Sequence, residues 1–244
     1  MTLAVALNRR ESADGKCCTA LQEQEVETSV EVMNVDPIAP LYEPVEHLCF
    51  GRALERRRNA FMGDLIAVRR AISCGEGDGR FMAALLQSNP YVQVTAVDAS
   101  WRMTQIGSRR VSRLEAQQSS RAEYVCADIG TFAPPQPHDL IATHFFLDCF
   151  STEEAASVIN RVANWATPRA QWIIAEFTQP PTTVGHLWTG AIIRSLYAGF
   201  RVTTGLRTTR LPNYLPALAA AGFELRKQVH ACGGLLLSEL WERG

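Results

Sequence analysis

The 244-residue chain has no run of 18 apolar residues, so no membrane-spanning helix and no stable membrane insertion are expected. It lacks an excess of charge: 24 Lys+Arg face 25 Asp+Glu, a formal net charge of -1. A surface that holds nucleic acid through bulk positive charge is therefore not expected, and no basic domain is appended to supply one. Its seven cysteines, at 17, 18, 49, 74, 126, 149 and 232, contain no C-x-x-C pair, so no zinc site is expected. Their odd number, and the lack of a secretory leader pattern, point to a reducing, cytoplasmic setting. Internal repeats and low-complexity tracts are absent too. What remains is a chain that is 47 % apolar and 20 % charged, enough for one large α/β domain.

Residues 1–38 form a mildly acidic arm or tail closed by Pro37 and Pro40. The domain proper is expected over 39–244. It opens with helical material over 41–65, in which Arg56, Arg57 and Arg58 read as helix decoration, as Arg109 and Arg110 do further on. A rhythm of strands and helices follows. Strands are predicted at 69–74, 92–98, 122–128, 138–146 and 171–177, and helices at 79–86, 100–117 and 151–166. Ser151 and Glu154 are spaced as a capping box for the last of these. Such alternation predicts a mostly parallel sheet covered on both faces, a Rossmann-like three-layer sandwich. A helical insertion is expected near 183–222. Two closely joined strands, 223–230 and 235–242, then predict a C-terminal antiparallel hairpin, because a parallel return needs a long crossover.

The stretch AISCGEGDGRF, residues 71–81, places Gly75, Gly77 and Gly79 at alternating positions just after the first strand. Glycine permits a sharp turn and close approach to the backbone, and the amides of the helix that follows favour an anion or polar group. No lysine completes a phosphate loop. The dinucleotide fingerprint G-x-G-x-x-G finds Arg80 where its last glycine belongs. A smaller anion or a neutral group lying against the backbone fits better. Asp98 ends the second strand, where a carboxylate can accept ribose hydroxyls. Asp128 ends the third, with Ile129 beside it, and Met103 lies in the first turn of the intervening helix, after Ala99.

The series AISCGEGDGRF, VTAVDAS, CADI and HDLIATHFFLDCF resembles the class I S-adenosylmethionine-dependent methyltransferases, over about residues 65–180 and more loosely in the terminal hairpin. The resemblance implies a seven-stranded sheet and S-adenosyl-L-methionine as cofactor. Gly75, Glu76, Gly77 and Gly79 would line its methionine portion, Asp98 and Ala99 its ribose, and Met103, Asp128 and Ile129 its adenine. The family often carries an acidic residue two positions before the first glycine. Here that residue is Ser73, with Glu76 as a candidate substitute.

In this fold THFFLDCF, residues 143–150, would lie over the cofactor's sulfonium. His144 is expected to touch the cofactor and, with Asp148, to serve as a catalytic pair on one side of a helical turn. Phe145, Phe146 and Phe150 offer an aromatic wall. The Asn/Asp-Pro-Pro-aromatic motif of amino-methylases is absent, no Pro-Cys precedes a carbon-methylating attack, and no metal set converges. The expected reaction is methyl transfer to oxygen or nitrogen of a small, lipophilic acceptor. A non-catalytic cofactor-binding protein and a dinucleotide oxidoreductase are the alternatives. The apolar stretch 178–206 reads either as a buried helix face, or as a cover over a lipophilic acceptor or a surface held near a membrane. A homodimer is compatible with the sequence, which leaves the oligomeric state open.

Overall fold

A computed structural model describes residues 35–179 and 210–244, with the single positions 190 and 208. Most of the 178–206 stretch and of the expected insertion, and nearly all of the N-terminal arm, thus lie outside the described residues. Seven strands form one sheet: β1 (Arg70–Cys74), β2 (Gln93–Asp98), β3 (Ala122–Cys126), β4 (His138–His144), β5 (Ala166–Phe177), β6 (Phe223–Ala231) and β7 (Leu236–Arg243). Their order is β3-β2-β1-β4-β5-β7-β6. The first five strands run parallel, and β7 is inserted antiparallel between β5 and β6. The hairpin read from 223–242 is present.

Side chains along β1 alternate between two cores. Ile72 and Cys74 point to one face, with Val158, Ile159, Trp172 and Leu218. Ala71 points to the other, with Phe81, Leu85 and Leu65. The first face is covered by α6 (Thr152–Ala163) and α7 (Leu215–Ala220), the second by α3 (Arg80–Ser88) and α4 (Trp101–Val111). Each buried aliphatic side chain contributes about 1.5–3 kcal/mol, and a strand buried on both faces collects this along its whole length. The capping box on α6 is closed: the Ser151 hydroxyl accepts from the Glu154 amide at 3.2 Å, and the Glu154 carboxylate accepts from the Ser151 amide at 2.8 Å.

Several boundaries differ from the sequence reading; β3, expected to reach 128, ends at Cys126. The helix expected over 100–117 stops at Val111, and a short α5 (Ala116–Ser119) follows. The helix expected to run to 166 ends at Ala163, and β5 begins at Ala166, five residues before the expected start. β4 ends at His144 and not at 146, because Phe145 adopts φ 51°, which no strand accommodates. Before the sheet lie α1 (Ala39–Phe50), α2 (Ala53–Arg58) and a 3-10 turn (Met62–Leu65).

Register places the site. Cys74 stands opposite Val97 of β2 and Thr143 of β4, so Gly75, Asp98 and His144 lie side by side one residue further on. The sheet order reverses between β1 and β4, the point at which an open parallel sheet forms a crevice.

Candidate active site

The three loop glycines have separate physical reasons. All take positive φ: 67° at Gly75, 66° at Gly77 and 80° at Gly79. A Cβ on Gly79 would come within 2.4 Å of the Tyr124 hydroxyl and 2.7 Å of Gly107 Cα, so this glycine lets α3 start against α4. A Cβ on Gly75 would lie 2.2 Å from the Phe146 ring, which rests on the loop. Gly77 has nothing within 4 Å. Packing explains the first and third glycines. Gly77 alone faces open space.

The Gly77 amide donates to Asp98 Oδ2 at 2.8 Å, and the Ser100 amide donates to Oδ1 at 2.8 Å. Two amides thus fix the carboxylate at the tip of β2 and leave lone pairs on both oxygens for a ligand's hydroxyls. Burial raises its pKa, partly offset by these two bonds. Asp36 reaches the same place from the leading segment, accepting from the Ser100 hydroxyl at 2.5 Å. Ala99 is exposed at the strand end, and Met103 is buried in the first turn of α4. At the tip of β3, Asp128 Oδ1 accepts from the Gly130 amide at 2.7 Å, an Asx turn, while Ile129 is packed into the α6-side core.

Glu76 turns inward beneath the loop. Its Oε2 accepts from the Ser73 hydroxyl at 2.5 Å, and its Oε1 accepts from the Met82 amide at 2.9 Å. Met82 is the third residue of α3, whose N-cap, Gly79, has no side chain to offer. A carboxylate from the loop therefore occupies the positive end of this helix. Arg80 is engaged elsewhere, and the helix end is already neutralised, so the loop is poorly suited to a pyrophosphate.

At the tip of β4 the strained Phe145 separates two directions. His144 packs edge-on against Phe81, ring centroids 4.5 Å apart, on the α3 side. Burial and the Arg58 cation push its pKa down to about 3, so its ring is neutral. Asp148 lies in a 3-10 turn (Leu147–Cys149), buried, with the Cys149 thiol donating to Oδ1 at 3.6 Å. Among the described residues no hydrogen bond joins His144 and Asp148, and the helical turn expected to align them is broken at Phe145. Asp148 is instead coupled to Glu176 at the end of β5, a residue only 1 % exposed. Glu176 Oε1 accepts from the Phe146 and Leu147 amides at 3.1 and 2.9 Å, fixing the turn after Phe145. Glu176 Oε2 is buried without a hydrogen-bond partner. Burial raises both carboxyls above the ordinary range, and the Asp148 charge further opposes ionisation of Glu176.

The leading helices close the α3 side through a buried ion-pair network. Both terminal nitrogens of Arg58 donate to Glu46, at 2.9 and 2.7 Å, and Arg80 donates to the same carboxylate at 2.7 Å. Arg80 also pairs with Asp78 at 2.8 Å, while Arg110 donates to the Asp78 carbonyl at 2.9 Å and to Glu43 at 2.6 Å. α1 is thereby tied to α2, to the glycine loop and to α4. The Arg58 guanidinium sits 5.1 Å from the centre of the Phe145 ring. Among the described residues no group of three or more metal-ligating side chains forms, and no helix is long and apolar enough to cross a membrane.

Residues 72–171 match the family model described as "Methyltransferase domain". That match covers 100 of the 244 residues, running from β1 into β5. Solved structures agree on the fold. TnmH superposes with a TM-score of 0.63 at 21 % identity, over 86 % of this chain and 60 % of its own. The mitomycin 7-O-methyltransferase MmcR gives 0.63 at 13 %, over 86 % and 61 %. The magnesium protoporphyrin IX methyltransferase ChlM from Synechocystis PCC 6803, solved with bound SAH, gives 0.58 at 16 %, over 79 % and 83 %. The chain thus spans about three-fifths of the length of TnmH and MmcR. No curated protein matches it in sequence.

Sequence reasoning missed the Glu46 network. Arg58 reads as surface decoration from the run Arg56 to Arg58, yet its side chain is only 9 % exposed. The available signal was Arg80, standing where a glycine was sought. Glu176 was given no role in the sequence reading. Its place at the end of a buried strand marks it as a polar group that must be satisfied there.

Proposed function

We propose that the domain binds S-adenosyl-L-methionine along residues 75–79 and transfers its methyl group to oxygen or nitrogen of a small molecule. The observation that carries this reading is the Gly77–Asp98 pair. One loop glycine opens on empty space, and its amide is bonded to a carboxylate with free lone pairs at the neighbouring strand tip. That cradle fits an adenosyl group, with the amino-acid tail on Gly75 and Gly77, the ribose on Asp98 and the adenine between Met103 and the Asp128–Ile129 corner.

When bound, the cofactor supplies an electrophilic methyl carbon on positively charged sulfur. The chain's own residues do the rest. The Gly75–Phe146 contact sets the floor beneath the reacting end, and Phe145, Phe146 and Phe150 exclude water from it. His144, neutral and buried, is a polar positioning contact. Asp148 takes the acceptor's proton: its carboxyl is raised towards neutrality by burial, whereas an imidazole held so far below its ordinary value is a weak base.

Calorimetry with S-adenosylhomocysteine tests the reading. The wild type should bind, and Asp98→Ala should lose at least tenfold in affinity, the loss of about 1.4 kcal/mol of hydrogen bonding to the ribose. Binding of NADH with indifference to both adenosyl compounds would sink it.

A further inference from the structure

Glu76 is a part-buried carboxylate with only neutral hydrogen-bond partners, the Ser73 hydroxyl and the Met82 amide. Every element packed around it can be named. Asp78 of the same loop adds like charge and is paired with Arg80. Arg58 of α2 is the one cation that acts on it, and that guanidinium is bonded to Glu46. Tyr124 of β3 brings a buried phenol without a hydrogen-bond partner. Asp98 at the tip of β2 is satisfied by two amides. Among the described residues no cation lies within ion-pair distance of Glu76. The loop therefore holds a carboxylate, between two glycines whose backbone faces the proposed cofactor, with its counter-charge missing.

We propose that Glu76 is the charge-bearing positioning residue of the loop: it caps α3 in place of Gly79, and it gives up a proton to solvent when the cationic cofactor settles on Gly75 and Gly77. The inference rests on the reading of residues 75–79 as the S-adenosylmethionine site. In the unliganded protein burial pushes the Glu76 carboxyl up to about 7, so near neutrality it is partly protonated. The cofactor's sulfonium and ammonium supply the missing positive charge and favour the ionised form. The demethylated product carries no sulfonium, so it draws the proton off less strongly. Discrimination between substrate and product then rises with pH, and product leaves more readily than substrate. The arrangement also accounts for Ser73. A carboxylate two positions before the first glycine is dispensable because one from inside the loop reaches the same spot.

The experiment is calorimetric titration of the full chain with S-adenosylmethionine at pH 7, in phosphate and in Tris, which differ in ionisation enthalpy. The wild type should release roughly half a proton more per cofactor than Glu76→Gln. Gln keeps an oxygen for the Met82 amide, so the variant should fold, as a thermal melt would show. At pH 8 it should bind S-adenosylmethionine about tenfold more weakly than wild type, with a smaller loss for S-adenosylhomocysteine. A Ser73→Glu, Glu76→Ala double variant, which moves the carboxylate to the strand end, should recover most of the affinity. Equal proton release in wild type and Glu76→Gln, or equal affinity at pH 8, overturns the inference while leaving the cofactor site standing. Failure of the wild type to bind either adenosyl compound overturns the site reading itself.

Discussion

Arg80, the first residue of α3, reaches back to Glu46 on α1 and donates to its carboxylate at 2.7 Å. The same carboxylate holds Arg58 in a two-pronged bond, so one buried acid bridges two guanidinia. Removing it as Glu46→Ala strands Arg58 and leaves Arg80 with Asp78 alone. Breaking a buried pair from one side costs about 3–5 kcal/mol, and a domain of this size should melt roughly 10 °C lower. Burial opposes ionisation of Glu46, yet the hydrogen bonds from Arg58 and Arg80 outweigh it and lower the pKa. The stability that Glu46 contributes is therefore complete above the unfolded value of about 4.3 and is lost as pH falls through the lower folded value. Thermal melts between pH 3 and 7 should show that acid limb flattened in Glu46→Gln. Equal melting temperatures for wild type and Glu46→Ala would remove the network from any account of stability.

Gly77 and Gly79 share a backbone conformation and differ in surroundings, and this separates binding from folding. Alanine at either site bears the cost of the left-handed region, about 1–2 kcal/mol. At Gly79 the added carbon also collides with Tyr124 and Gly107, for a further 1–3 kcal/mol. Gly79→Ala should therefore melt markedly lower than Gly77→Ala. Gly77→Ala should stay folded yet lose cofactor affinity, because its methyl group projects into the open space. Melts paired with S-adenosylhomocysteine titration read both quantities, and the reverse order of stabilities would contradict the packing described.

The sheet was legible because its signals are local. Short strand-like runs, most of them closed by a turn residue or an acid, marked all seven strands, and Ser151 and Glu154 marked a helix start to the residue. The end of β4 was not legible. Phe145 has no intrinsic reason to take φ 51°, and it does so because Glu176, 30 residues from Phe146, fixes the amides that follow. Sequence spacing therefore paired His144 with Asp148, whereas the fold turns His144 towards Phe81 and couples Asp148 to Glu176. Glu46 escaped notice for the same reason. A buried acid is identified by its partners, and two of these, Arg58 and Arg80, come from 12 and 34 residues away.

Glu176 gives a test of that long-range control. Its Oε1 holds two amides, and its Oε2 has no hydrogen-bond partner, so the side chain can be neutral without loss of either bond. Glu176→Gln should retain fold and cofactor binding. Glu176→Ala leaves both amides unsatisfied at about 1–3 kcal/mol each. It should release the turn after Phe145 and reduce methyl transfer far more than cofactor affinity. Parallel losses in both variants would show that the charge matters and the turn does not.

The last prediction concerns which residue receives the proton. Burial raises the Asp148 carboxyl to about 6 beside the buried Glu176, whereas His144 is held near 3 by burial and Arg58. If Asp148 is the acceptor, kcat/KM for a hydroxyl acceptor should rise with pH through about 6 and then level, following ionisation of the Asp148–Glu176 pair. Asp148→Asn should abolish that limb and lower kcat by 10²- to 10⁴-fold, the usual worth of a positioned base. His144→Asn keeps a polar side chain beside Phe81, so it should change KM for the cofactor and leave the shape of the profile intact. A profile that keeps its limb in Asp148→Asn and loses it in His144→Asn would return the proton to the imidazole. The burial that depresses its pKa would then have to be relieved on cofactor binding.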